Sequence, residues 1–387
     1  MMMKKLHFSL IAVTAFAAVL AILIAGCGQP NVASEQPKSQ VPGVAATTAP
    51  ASSWDELVKA AQKEGTVDIY TTTVQVAVQP LTQAFKQKYG INLQFVTGVP
   101  TEVAVKLISE RNAGLYLADV VHIGETIPVM DWRPLGITTP LDDFLVLPEV
   151  KDPKNWIGGA LPFLDKDHHV LMFAAQAYPQ TVVNTDLLKE GAYSSFVDFT
   201  KPEWKDRIVL NDPAVTGIGN PIFAVMYKVF GKERALQLFK QLAANNPVVS
   251  RDNRILLEWV ARGKYPLGIG QSMSLYPEFQ RAGAPIRTVS LKEPRHVSSG
   301  AGTVTVLSKY PHPNAAKLNI NWILGKEGST IWARELQFPS TRVDVKVDGL
   351  DPDILPKAGD IFPNEDHLKL RVEMRQVGTD IFGPLMR

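Results

Sequence analysis

Four stretches of this 387-residue chain place hydroxyl, glycine and charged side chains where an extended apolar run gives way to a helical one. Thr71, Thr72 and Thr73 follow the run 67–70. Hydroxyls and backbone N–H groups there suit an oxygen-rich ligand, and suit an ordinary turn as well. Gly124 and Glu125 follow the run 118–123, which contains His122. Glu125 has the charge to hold a cation or an amine, or to cap the helix after it. Thr216, Gly217, Gly219 and Asn220 precede an apolar helix carrying Phe223 and Tyr227. N–H groups at a helix N-terminus attract anions, and glycine lets a ligand approach the backbone; a plain helix cap uses the same residues. Ser250 and Arg251 close a later strand, and Gln271, Ser272, Ser274 and Tyr276 close another. Arg251 matches a carboxylate or phosphonate bidentately, and matches a surface salt bridge equally well.

Motifs for covalent or cofactor chemistry are incomplete. The stretch 270–274 (Gly-Gln-Ser-Met-Ser) begins like a nucleophile elbow and lacks its closing glycine. Gly217-Ile-Gly219 and Gly300-Ala-Gly302 lack the third glycine of a dinucleotide loop, and no P-loop lysine motif or His-Glu-x-x-His occurs. Asp165, Asp167, His168 and His169 form a charged turn expected to be solvated rather than metal-bound. The expectation is therefore a protein without catalytic residues, resident metal or cofactor.

Alternating elements must position these loops. A capping box at residues 53–56 opens a helix whose stripe is Trp54, Leu57, Val58 and Ala61, stopped by Gly65. A strand at 67–70, a helix at 79–89, a strand at 91–95, a helix at 101–112 and a strand at 118–123 follow. The rhythm resumes with helices at 233–244 and 255–262, strands at 248–249 and 267–270, a helical piece at 277–282 and a strand at 286–291. A strand at 303–307 and helices at 314–324 and about 329–336 close the series. Strands alternating with helices of this length imply βαβ units, parallel sheet and two α/β halves. Open sheets of this kind bind ligands beyond the carboxyl ends of their strands, which is where the four stretches lie.

Composition agrees with a neutral globular body. Apolar residues make up 45% and charged residues 20%, and 40 basic against 38 acidic side chains leave +2. Lys4 and Lys5 account for that excess, so the rest is balanced and no nucleic-acid partner is expected. Residues 1–26 read as a secretory signal, two lysines before an uncharged run. The run ends in Leu23-Ile-Ala-Gly-Cys27, which resembles a bacterial lipobox and implies lipidation of Cys27, the only cysteine, after cleavage before it. Residues 28–53, rich in Pro, Ser, Thr and Ala, are expected to form a flexible tether reaching at most roughly 80 Å.

Several segments in order are similar to the extracellular solute-binding proteins of bacterial ABC importers, of the group that includes ferric-iron, phosphonate and polyamine receptors. They are residues 54–57 and 64–70, 183–187, 198–208 with Trp204-Lys-Asp-Arg207, 212–219, and 311–317 leading into 322–328. The resemblance implies a two-lobed periplasmic-binding-protein fold of type II, hinged around a ligand cleft. Lobe one would comprise 54–173 plus 297–387, lobe two 180–292, with crossovers near 171–183 and 295–304. It further implies a monomer lipid-anchored outside the cytoplasmic membrane, partnered by a small solute and a membrane permease. Iron receptors of this group use adjacent tyrosines; here the matching loop, 271–276, retains only Tyr276. A small oxygen-rich organic anion therefore fits better than ferric ion held by Glu125, Tyr276 and an external anion. A lipid-anchored hydrolase is the competing class.

Overall fold

Apolar side chains recurring at three or four residues and then at two make helix and strand alternate through the body of the chain. The computed structural model describes residues 54–386 apart from Thr73 and Thr216, so the signal segment, Cys27 and the tether lie outside the described residues. Helix α1 (Trp54–Glu64) buries Leu57 and Ala61, β1 (Thr66–Thr72) follows, and α2 (Gln75–Tyr89) buries Ala77, Leu81, Phe85 and Tyr89. The sequence predicts α2 from residue 79, beside Pro80, a residue at home in a first turn; the helix begins at Gln75 and carries Pro80 inside it. Gly90 ends it at φ 75°, a left-handed turn that glycine adopts without strain, and donates its N–H to Lys86 O. β2 (Asn92–Gly98), α3 (Pro100–Asn112), β3 (Val120–His122), β4 (Thr138–Thr139), the single turn α4 (Pro148–Lys151) and β5 (Val170–Met172) complete the first pass.

β6 (Gln176–Tyr178) then leads to β7 (Thr181–Asn184), β8 (Ile208–Asn211), α5 (Gly219–Phe230), α6 (Lys232–Ala244) and β9 (Val248–Ser250). After these come α7 (Asn253–Ala261), β10 (Leu267–Ile269), α8 (Tyr276–Arg281) and β11 (Ile286–Val289). β12 (His296–Ser298) returns the chain to β13 (Thr303–Leu307), α9 (Pro313–Leu324), α10 (Lys326–Leu336) and finally α11 (Glu365–Phe382).

Two separate sheets result. The first has the order β2-β1-β3-β13-β4, with β5 also on β13; the second has the order β11-β7-β10-β8-β9. β1 runs parallel to β2 and β3, and β8 runs parallel to β10 and β9, as the βαβ rhythm requires. β13 in the first sheet and β7 in the second run antiparallel to their neighbours. Both are the strands by which the chain enters a sheet from the other lobe. They begin at the end where the parallel strands stop, which fixes their direction. Between the sheets lies a two-stranded antiparallel ribbon of β6 and β12, pairing Gln176 with Ser298, Ala177 with Val297 and Tyr178 with His296. The chain thus crosses between lobes along this ribbon in both directions. Each lobe has its own core, one around Phe85, Phe173, Trp322 and Trp332, the other around Phe196, Phe199, Phe223 and Phe239.

The end of the chain departs from the expected division. Residues 303–336 complete lobe one, but α11 spans both lobes. Its first turns reach lobe one, where Glu365 pairs with Arg133 at 2.9 Å and Leu368 joins Val129, Val170 and Met172. Its last turns enter the lobe-two core through Met374 and Phe382, the latter 5.1 Å from the Phe223 ring. Gly378 lies so close to Pro213 and Ala214 that a Cβ there would come within 2.6 Å of the Ala214 nitrogen. Residues 365–382 therefore pack largely with lobe two, because their apolar side chains complete its core.

At the amino ends of the lobe-one strands a buried carboxylate ties three elements together. Asp119 accepts the backbone N–H of Asp68 and of His312, each at 2.8 Å, and lies 2.9 Å from His312 Nδ1. The Asp119 bond raises the His312 pKa above 6.5, outweighing burial, with further help from the charges of Asp119, Asp68 and Glu64. A folded-state pKa above the unfolded one stabilises the protein fully below about pH 6.5, and that stabilisation fades as pH rises through the raised value. Urea unfolding across about pH 6 to 9 should show this loss of stability with rising pH. His312→Gln should flatten that part of the profile.

Candidate functional site

The carboxyl ends of the parallel strands in both lobes abut the β6–β12 ribbon, so the loops that leave them gather on either side of it. Thr71 and Thr72 end β1 in register with His122 and Gly98 respectively. Both threonines are buried, and Thr71 Oγ1 has no partner; Thr73 lies outside the described residues. Beside Gly98 a recess of about 270 Å³ is lined by Gln75, Thr97, Val99 and Glu102. His122, at the end of the strand that leads to Gly124 and Glu125, points into lobe one. Its Nδ1 is 2.7 Å from Thr303 O, its ring packs edge-on against Phe173 and Trp332, and burial lowers its pKa to about 4.

Gly124 lies against the Gly300 carbonyl, and Glu125 is buried. Arg371 Nη1 donates to Glu125 Oε1 at 2.6 Å, and the Ser299 hydroxyl donates to Oε2. Burial opposes the charge on Glu125, but the Arg371 guanidinium and Ser299 outweigh it and hold the carboxyl below its ordinary value. Glu125 is therefore committed to an internal ion pair rather than open to a cation.

In lobe two, Gly219 starts α5 and donates its N–H to Asn211 Oδ1 at 3.0 Å. A Cβ at 219 would fall 2.3 Å from the Asn211 carbonyl, so glycine is required there by the end of β8. Gly217 is exposed, and Thr216 lies outside the described residues. Arg251 Nε donates to Asp212 Oδ2 at 2.8 Å, the salt-bridge alternative of the two readings. Ser250 Oγ accepts the Asp252 N–H at 3.1 Å. Gln271 donates to Pro179 O at 2.7 Å and leaves Oε1 buried without a partner. The Ser272 and Ser274 hydroxyls are 2.9 Å apart. Tyr276 turns away from the ribbon into lobe two, where its hydroxyl accepts the Thr288 N–H at 3.3 Å and Gln280 Nε2 at 3.0 Å. Tyr276 and Glu125 thus do not present a shared pair of free oxygens for ferric ion.

Sequence reasoning missed the residues that meet at the ribbon. Tyr178 and His296 stack with centroids 4.7 Å apart, and His367 and Arg371 come from α11. Burial, then Arg371, then His367 push the His296 pKa well below its ordinary value; burial with the Arg371 charge lowers that of His367 to about 4. The signal available was Asn364, which caps α11, followed by a histidine and an arginine four residues apart.

Away from the ribbon, Asp68, Asp119 and His312 place one ligand atom each within 4.8 Å of one another. They lie at the opposite end of the lobe-one strands, with Asp119 already saturated by two backbone N–H groups. In the charged turn, Asp165 is buried, accepting the N–H groups of Asp167, His169 and Val170, while His168 stacks on Phe163. A cavity of about 460 Å³ between Leu161, Phe163, Met172 and Phe362 is apolar and lies outside the strand-end loops.

Residues 153–371 match the family model for bacterial extracellular solute-binding proteins. An uncharacterized protein of Haemophilus influenzae is 24% identical over 274 residues, 70% of this chain and 76% of its own length. The iron-bound HitA of Pseudomonas aeruginosa superposes with a TM-score of 0.61 at 18% identity, over 82% of this chain and 99% of that one. AfuA of Actinobacillus pleuropneumoniae, with exogenous fructose-6-phosphate bound, gives 0.61 at 22% identity, over 84% and 99%. The architecture is the two-lobed periplasmic-binding-protein fold of type II.

Removing one partner of a buried ion pair strands the other charge. Glu125→Ala should therefore cost about 3–5 kcal/mol in urea unfolding, whereas Glu125→Leu combined with Arg371→Met should fall close to the wild type.

Proposed function

Because this chain belongs to the bacterial extracellular solute-binding proteins, we propose that it is the receptor of an ABC importer, capturing a small oxygen-rich organic anion between its lobes. The solute leaves chemically unchanged and passes to a membrane permease. The observation that carries this reading is the paired ribbon β6–β12, which among the described residues is the one strand pair joining two lobes with separate cores. Bending the three-pair ribbon and pivoting about α11, whose first turns hold lobe one through Glu365 and Arg371, leaves both cores intact, so the lobes can open and close as bodies. Differential affinity for the closed form then shifts the population toward closure.

The oxygen-rich character rests on Thr72, Ser272 and Ser274 at the strand ends, and the preference for an anion on the α5 N-terminus. Ferric ion is the alternative cargo, because HitA is iron-bound. It is the weaker reading, since Tyr276 and Glu125 are hydrogen-bonded inside the protein. Lipidation of Cys27 would hold the receptor outside the cytoplasmic membrane by its tether, within reach of the permease. As a receptor it needs no nucleophile–base pair; turnover of a bound solute would instead establish the hydrolase.

Native mass spectrometry of the protein as isolated should show a small organic anion that dissociates on unfolding, with its mass unchanged by prolonged incubation. Titration with ferric citrate should give no tyrosinate-to-iron charge-transfer band. Such a band would establish iron as the cargo.

A further inference from the structure

Three buried nitrogens on residues at or beside the ribbon lack hydrogen-bond partners: Nδ1 of His296, Nδ1 of His367 and Nε of Arg371, and both Arg371 and His367 lie near enough to His296 to act on its charge. Their residues are 3%, 2% and 8% exposed, and buried polar groups are rarely left unpaired. Strand pleating puts Gln176, Tyr178, His296 and Ser298 on one face of the ribbon, while Ala177 and Val297 turn into an apolar cluster on the other. Arg371 is fixed at its far end by Glu125, and its carbonyl accepts Asn220 Nδ2 at 3.0 Å, which places it beside the first turn of α5.

The chemistry of this cluster is specific. Arg371 and Glu125 cancel in charge, and both imidazoles are held neutral by burial and the neighbouring guanidinium, with Lys228 adding to the effect on His367. What remains is one obligate donor and two imidazole nitrogens that donate or accept according to tautomer. A carboxylate or phosphate placed here would face the Glu125 carboxylate, and an alkyl group would leave all three nitrogens unmet. A hydroxyl both donates and accepts.

We propose that His296, His367 and Arg371 form the part of the solute site that takes the uncharged hydroxyl groups of a polyhydroxylated anion, whose charged group lies at the start of α5. The proposal rests on the receptor reading above and narrows its solute to a hydroxylated acid or a polyol phosphate. Lobe opening admits the solute to the ribbon face, and closure seals it there.

Matched probes separate the hydroxyl contribution from the charge. Glycerol 3-phosphate and propyl phosphate, and gluconate and hexanoate, should be titrated calorimetrically into wild type, His296→Phe and His367→Leu. His296→Phe keeps an aromatic ring against Tyr178 and removes the nitrogen. The hydroxylated member of at least one pair should bind wild type more tightly. Each variant should weaken that member about tenfold, one hydrogen bond's worth, and leave its alkyl counterpart unchanged. Equal affinity within both pairs, or variants that change neither member or both alike, would overturn the hydroxyl subsite while leaving the receptor reading intact. Should no probe bind, native mass spectrometry of the isolated protein decides. A co-purified polyhydroxylated anion, lost from His296→Phe, supports the proposal, and one without hydroxyls overturns it. No bound molecule and no response to any probe overturns the receptor reading and the subsite with it.

Discussion

A chain that passes between two parallel sheets must leave and re-enter each at the end where the strands stop. That constraint organises this protein. It makes β7 and β13 antiparallel to their neighbours. It brings β6 and β12 together as a ribbon, and it gathers the loops after β1, β3, β8, β9 and β10 around that ribbon. The grouping of the strand-end loops is then a consequence of one topological requirement, because the strands that supply them already have their direction set.

Charge around the ribbon is largely compensated within the protein. Arg251 is bound to Asp212, Arg371 to Glu125, and the first N–H of α5 to Asn211. In a low-dielectric setting such pairing stops a lone charge from seizing any counter-ion. Groups left with a spare bond include the Gln271 carbonyl oxygen and the nitrogens of His296, His367 and Arg371, and the proposed site assigns recognition to those nitrogens.

Most of the architecture could be read from residue order. The ends of the helices at Gly65, Gly90 and Gly263 and the strands 267–269 and 303–307 follow apolar spacing and punctuation, and they appear within a residue or two of expectation. α11 was not legible because its apolar residues serve two different cores: Leu368 faces one, Met374 and Phe382 the other, so no single stripe runs along it. The loops were legible; the orientation of their side chains was less so. His122 and Tyr276 have the chemistry of ligands, yet both turn into the interior of their own lobe. Arg371 was invisible because it meets Glu125 across 246 positions of sequence, a distance no local pattern encodes.

The bridging helix also bears on how the protein is made. A polypeptide made amino end first delivers α11 after both of the sheets it bridges. Until residues 365–382 emerge, the Phe223 ring has an open face and Glu125 has no countercharge. Lobe two thus waits on the trailing segment even though its own sheet was complete nearly eighty residues earlier, counting from Val289 to Glu365. That apolar surface is then open to chaperones and proteases until the helix docks.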